Sequence, residues 1–246
     1  MPTLLYIYAH PDDESFLVAG TCCLYAQRGV RSVLVTATLG QAGKCGDPPI
    51  CTPQQLPAVR RQELAEACGL LGIEGLHLLG HQDKKLCDAP LEEVRFRLVE
   101  LIRRYRPEVV ASFDPQGLNL HPDHIAISRF TSDAVAAAAD RRFCPRSGSP
   151  HRVQRLLWTP PVAVWDLEAQ APWEDRPGVD FQIDIRPFSA IKKQALQCHR
   201  TQLQSIRRYF LERPNLDEIL SVELFRQAWG PPISRRPSGD LFEGVE

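Results

Sequence analysis

Short apolar runs alternating with helical stretches constrain this chain more than any other feature. Leu4–Tyr8, Val33–Leu39, Leu76–Leu79 and Val109–Phe113 are too short for core helices, and they carry the apolar pattern of strands buried on both faces. Between them lie three helical patterns. Ser15–Gln27 stops at Arg28-Gly29, Val59–Leu71 is closed by Gly72, and Leu91–Tyr105 places Val94, Leu98, Leu101 and Ile102 on one face before Pro107. Ile125–Ala139 follows the fourth strand as a further helix. Such alternation builds right-handed crossovers, so the expected fold is α/β and Rossmann-like, a mostly parallel open sheet with helices on both faces. After Arg141 the pattern weakens: Leu156–Trp158, Val162–Trp165 and Phe181–Ile185 read as strands and Ile191–Arg208 as a helix. No element is assigned from there to Pro231–Pro237, which is too rich in Pro and Arg for a core element. Without an internal repeat or a linker, residues 1–246 read as one domain, with a core over 1–140, strands and a helix over 141–230, and a tail over 231–246.

Composition narrows the partners. Hydrophobic residues at 43%, charged residues at 24% and a net charge of −1 are ordinary for a soluble protein and give no reason to expect a nucleic-acid partner. No stretch approaches about eighteen apolar residues, which argues against an integral membrane segment. The apolar start is short and runs straight into two aspartates, unlike a secretory signal, so the chain is expected to be cytoplasmic. Of eight cysteines, Cys22, Cys23, Cys68 and Cys198 sit in helical patterns as small hydrophobes. Cys45 and Cys51 lie in the Gly/Pro-rich Gly40–Pro57 loop, and both are expected as unpaired thiols.

Two clusters carry the chemistry. Ala9-His10-Pro11-Asp12-Asp13-Glu14 follows the first strand directly, and His121-Pro122-Asp123-His124 follows the fourth. In a doubly wound sheet ligands bind outside the carboxyl ends of the strands, where strand order reverses, so two sequence-distant clusters converge on one crevice. Three imidazoles and four carboxylates in one crevice are donors for a divalent metal, with carboxylates left over to act as bases. His10 and Asp13 are three apart, as are His121 and His124, so a turn can bring either pair to one side. Adjacent Asp12 and Asp13 point apart, which lets one reach an ion while the other faces substrate or solvent.

These residues resemble the signature of the PIG-L/LmbE-like de-N-acetylases, zinc enzymes that deacetylate N-acetylglucosamine conjugates. The resemblance extends through Gly40-Gln41-Ala42-Gly43, Arg60-Arg61-Gln62-Glu63-Leu64, Leu71-Gly72, Leu79 to Asp83, and Ala195 to Gln202, and covers nearly all of residues 3 to 205. It implies His10, Asp13 and His124 as zinc ligands and Asp12 as the general base. It also implies His121 as partner of the oxyanion and acid to the leaving amine, with Asp123 tuning it; a carboxylate beside His121 would hold it protonated. Another divalent ion such as Fe2+ suits the same donors. The implied partner is a small N-acetylated amino-sugar conjugate, and homo-oligomerisation is compatible with this reading. Two departures stand out: Gln41 replaces an acidic residue often found in its loop, and no lysine follows the first motif, unlike the amidase branch acting on mycothiol conjugates.

Arg60 is read either as lining the sugar site or as a solvated helix cation. Asp83 is read as contacting sugar hydroxyls or forming a local turn. Glu14 is expected in the acidic first turn of the helix, and His199 and Gln202 at the substrate mouth or in local capping. His77, His81 and His151 are expected to be structural. Two rival functions use the same residue types. A two-His-one-carboxylate iron enzyme would usually carry His-x-Asp on a β-barrel. A sugar- or nucleotide-binding module on this fold has no G-x-G-x-x-G after the first strand and would not need Asp12.

Overall fold

The computed structural model describes residues 1–159 and 178–246. Among the described residues seven strands form one sheet: β1 (Thr3–Tyr8), β2 (Arg31–Thr38), β3 (Ile73–His81), β4 (Val109–Ser112), β5 (Arg155–Trp158), β6 (Phe181–Asp184) and β7 (Val222–Trp229). Their spatial order is β3-β2-β1-β4-β5-β7-β6. The first five are parallel, whereas β7 runs antiparallel to both β5 and β6. The order reverses between β1 and β4, the pair expected to flank the crevice.

The helices are α1 (Asp13–Leu17), α2 (Ala19–Gln27), α3 (Leu56–Leu71), α4 (Leu91–Tyr105), α5 (Gly117–Leu120), α6 (Pro122–Ala139), α7 (Ser189–Cys198), α8 (Leu203–Ile206) and α9 (Leu216–Ile219). On one face α4 packs against α6, and on the other α2, α3 and α7 pack together. β1 is buried along its whole length, which explains its unbroken apolar run. β3 lies at the sheet edge and is only half-buried, so its apolar signal covered less of it than the observed strand. Among the described residues no helix is long and apolar enough to cross a membrane.

Three elements differ from the pattern expected of the sequence. The expected Ser15–Gln27 helix is broken at Val18 (φ −139°), and the new helix start at Gly20 and Thr21 donates both amides to Glu223 at 3.0 and 2.8 Å. The helix expected over Ile191–Arg208 ends at Cys198 and continues as short turns. β7 had no assignment, because Val-Glu-Leu-Phe-Arg-Gln-Ala-Trp is neither an apolar run nor a clean alternation, and Glu223 is buried inside it. Pro231–Pro237 forms no core element, yet Leu241 beyond it is fully buried and its carbonyl accepts from Arg155. The strand expected at Val162–Trp165 lies outside the described residues.

Candidate metal centre and active site

The chain leaves β1 at Tyr8 and turns at once into α1. Asp13 closes this turn, its Oδ2 accepting the amides of His10 at 2.7 Å and Ala9 at 3.1 Å. The Thr38 amide and hydroxyl both donate to the Ala9 carbonyl, tying the turn to the end of β2. Between these anchors Asp12 adopts φ 118°, ψ −27°. Backbone of this kind in a non-glycine residue costs about 1–3 kcal/mol and persists only where its surroundings enforce it. Arg60 Nη2 meets Asp12 Oδ2 at 2.9 Å and also donates to the Pro11 carbonyl, while Glu14 Oε2 accepts the Asp12 amide at 3.0 Å. The two aspartates thus face different partners, as adjacent side chains in a turn should.

The second cluster opens α6. Its approach loop bends through Gly117 (φ 65°), Leu118 (63°) and Leu120 (62°), all left-handed. A Cβ on Gly117 would stand 2.7 Å from the Ile125 amide nitrogen, so only glycine permits this approach. The Gly117 carbonyl lies 3.1 Å from His124 Nδ1, which makes Nδ1 the protonated nitrogen and leaves Nε2 as a lone-pair donor. Phe113 stacks flat on the same ring at 3.9 Å. His121 caps α6, its Nδ1 accepting the Asp123 amide at 3.2 Å, so Nε2 is its N–H donor when the ring is neutral.

The clusters meet in the crevice. His10 Nδ1 lies 3.2 Å from His124 Nε2 and 3.8 Å from Asp13 Oδ2, and His124 Nε2 lies 3.7 Å from Asp13 Oδ1. Donors about 2.0–2.1 Å from a tetrahedral zinc stand roughly 3.3 Å apart, which the two imidazoles match, while Asp13 faces them with a different oxygen each and spends Oδ2 on the Ala9 and His10 amides. Among the described residues, the groups whose donor atoms all lie close to one another are His10 with His121 and His124, and His10 with Asp83 and Asp123; Asp13 borders them rather than belonging to either. The electrostatics suit a cation. Burial pushes Asp12 up despite Arg60, and pushes Asp13 up to about 7 despite His10. Burial and then the His10 charge push His124 down to about 2, leaving it neutral.

Asp83 and Asp123 do something the sequence reading did not assign. His10 Nε2 lies 3.2 Å from both Asp83 Oδ1 and Asp123 Oδ2. Against the burial that opposes a charge, hydrogen bonds to these two carboxylates carry His10 up to about 10. Asp123 also accepts the amides of Lys84 at 2.6 Å and Leu86 at 3.1 Å, and Asp83 accepts the Ala42 amide at 3.0 Å. Carboxylates behind a ligating imidazole fix its tautomer and orientation. Asp123 meets His121 through its backbone amide, which His121 Nδ1 accepts, while its carboxylate turns to His10 and acts on His121 only through space, raising its pKa. Burial, followed by the His10 charge, lowers the His121 pKa, against the Asp123 and Asp83 carboxylates, which raise it.

Arg60 is no solvated cation. It is buried and also donates from Nη1 to the Gly40 carbonyl at 3.0 Å. A Cβ on Gly40 would sit 1.8 Å from Nη1, which gives the Gly-x-x-Gly loop a steric reason. Gln41 binds within the scaffold, donating to the His81 carbonyl and accepting from the Leu39 amide. Cys45 and Cys51 are free thiols, with burial and a hydrogen bond between the two side chains raising the Cys51 pKa. His77 and His151 make the structural contacts expected of them, with the Tyr105 hydroxyl and the Pro107 carbonyl. A cavity of about 470 Å³ opens over the centre, and Phe16, Lys44, Asn119, Gln202 and Tyr209 line its outer part. Nothing in the sequence marked Phe16, Lys44, Asn119 or Tyr209, because each lies outside a chemically distinctive motif.

Residues 5–135, which contain both clusters, match the model of the PIG-L family, described as GlcNAc-PI de-N-acetylase. The chain belongs to this family. It is 32% identical over 98% of its length to a 1D-myo-inositol 2-acetamido-2-deoxy-alpha-D-glucopyranoside deacetylase of Streptomyces avermitilis, covering 97% of that protein. It is 38% identical over 56% of its length to a probable N-acetyl-alpha-D-glucosaminyl L-malate deacetylase of Bacillus anthracis, covering 62% of that protein. Among solved structures, the conserved protein TT1542 of Thermus thermophilus superposes with a TM-score of 0.72 at 28% identity, covering 95% of this chain and 97% of that one. Membership places the chain among the hydrolases and agrees with the α/β architecture and the His/Asp centre of this PIG-L protein.

Proposed function

We propose that this protein removes the acetyl group from a 2-acetamido-2-deoxy-glucosyl conjugate, using one divalent metal, zinc by preference, held by His10, Asp13 and His124. The observation that carries this reading is the convergence of those three side chains, His10 Nδ1 3.2 Å from His124 Nε2 with a different Asp13 oxygen within 3.8 Å of each ring, beside the separately held carboxylate of Asp12. A cation in that position polarises a carbonyl and acidifies a water. Asp12, fixed by Arg60, is placed to take a proton from the attacking water and to return it to the departing nitrogen. His121, with Nδ1 engaged by a backbone amide, presents Nε2–H as a donor to the oxygen that gains charge as water adds to the amide carbon. Collapse breaks the C–N bond and yields acetate and a primary amine. The two named relatives share an N-acetylated α-glucosaminyl unit and differ in what it is attached to. That shared unit is the part of the substrate assigned here.

The test is a panel of N-acetylglucosamine conjugates, with inositol, malate and a second sugar as aglycones, incubated with chelated and metal-reloaded protein. Fluorescamine should reveal a new primary amine, with one acetate per amine, only in the reloaded samples. Absence of amine from every conjugate with full metal occupancy would overturn the assignment.

A further inference from the structure

Behind the crevice, and outside the cavity lining, lies a buried pair that the reaction does not use directly. Glu14 is 1% exposed and His199 is 0% exposed, and His199 Nε2 meets Glu14 Oε1 at 2.8 Å. Ser15 Oγ donates to the same oxygen at 2.5 Å and lies 3.2 Å from His199 Nε2. The other oxygen of Glu14 accepts the Asp12 amide at 3.0 Å. His199 Nδ1 has no hydrogen-bond partner among the described residues, so the hydrogen bonds orienting this ring are those at Nε2.

We infer that His199 and Glu14 form a positioning pair that holds Asp12 in its left-handed turn, so that its carboxylate faces the reacting water. This rests on the reading of Asp12 as the base. The left-handed backbone of Asp12 needs a hold on both sides. Arg60, from α3, holds the Pro11 carbonyl and the Asp12 carboxylate, while Glu14 holds the Asp12 amide. Glu14 can keep that amide only if its own carboxylate cannot rotate, and His199 with Ser15 locks the far oxygen. His199 lies beyond the 5–135 segment, just after α7, so the C-terminal part of the chain completes a site whose ligands all come from the N-terminal part. Neither residue reaches the cavity, which makes both positioning rather than catalytic residues.

The experiment compares Glu14→Gln, His199→Leu and His199→Gln in metal-loaded full-length protein, each with Asp12 intact and in an Asp12→Asn background. Glutamine at 14 keeps the shape but cannot accept at both oxygens, and glutamine at 199 keeps one donor for Glu14. With Asp12 intact, Glu14→Gln and His199→Leu should lower kcat about 10- to 100-fold with KM, metal content and the melting curve little changed, and His199→Gln should regain most of the loss. In the Asp12→Asn background Glu14→Gln should cost less than about threefold, because the residue it positions is no longer a base. Equal losses in both backgrounds, or losses that follow metal content or melting temperature, would overturn the positioning role alone. A fully active Asp12→Asn enzyme would overturn the base assignment and this inference with it. Should His199→Leu fail to fold, Glu14→Gln and His199→Gln still decide the question.

Discussion

Two of the places where the described residues bury charge are built differently. Beside the antiparallel end of the sheet, Lys192 meets Glu223 at 2.7 Å with both side chains almost wholly buried, and Glu223 also accepts the Gly20 and Thr21 amides. Arg155, fully buried, reaches Gln227 Oε1 at 2.7 Å and the Glu243 carbonyl at 2.7 Å. Each charge there is closed by a partner of opposite sign or by backbone groups. In the crevice at β1 and β4, Asp12, Asp13, Asp83 and Asp123 crowd around His10, and burial pushes Asp12 and Asp13 upward. Buried charge alone therefore does not mark function. The crevice differs in its crowded carboxylates beside the lone pair of His124, a set that a divalent cation would complete.

The sharpest way to break this contrast is to remove a donor. His124→Ala should abolish metal retention and reduce activity to background while the circular dichroism spectrum stays native, since the ring packs on an already built sheet. Full metal occupancy in that variant, by elemental analysis, would remove His124 from the centre. The next effect in size separates the two aspartates. Asp12→Asn should keep its metal and lose about 10²–10⁴-fold in kcat, the usual range for a lost general base. Asp13→Asn should instead bind metal more weakly, with activity partly restored by excess zinc. Reversed phenotypes would exchange their roles.

Only one side of this contrast is legible in the amino-acid sequence. Strand–helix alternation revealed the parallel half because β1, β2 and β4 are buried along nearly all their length and leave apolar runs interrupted only by Ser and Thr. β7 was invisible for the opposite reason: it places Glu223 in the core, and its buried charge erases the pattern on which recognition depends. The two histidine clusters were legible because their donors lie within a few residues of a strand end. The contacts of Asp123, Asp83 and Arg60 were not, because they are tertiary. Asp123 is next to His124 in the chain, yet its carboxylate crosses to His10 and to the Lys84 and Leu86 amides.

Those crossings supply the third test. Asp83→Asn removes one of two carboxylates behind His10 and should weaken metal binding about 10- to 100-fold, the usual cost of losing such support. KM for the sugar conjugate should change little once metal is saturating. A raised KM at saturating metal with unchanged metal affinity would instead make Asp83 a sugar contact. A smaller effect is expected from pH on chelated protein. His10 is raised from 6.5 to about 10, so its stabilising contribution is complete below 6.5 and lost as pH rises toward 10. Asp13, raised to about 7, also disfavours folding as pH rises, but His124, lowered to about 2, opposes it up to 6.5. The net loss should therefore fall above pH 6.5, as a melting temperature that drops by several degrees. Metal should abolish the slope, and a melting temperature flat over that window without metal would contradict it.

The smallest effect on activity should come from the other buried charges. Lys192→Met leaves Glu223 buried with two backbone donors and no cation. Breaking one side of such a pair costs about 3–5 kcal/mol, because the remaining carboxylate stays desolvated. The melting temperature should fall clearly, while kcat and metal content per folded molecule stay within about twofold of the parent enzyme. Adding Glu223→Gln should recover part of the lost stability, since the charge is gone and an acceptor for one amide remains. If Lys192→Met instead lowered metal content or kcat at temperatures where it is fully folded, the two regions would be coupled, and the division between charges that build the fold and charges that await a cation would no longer hold.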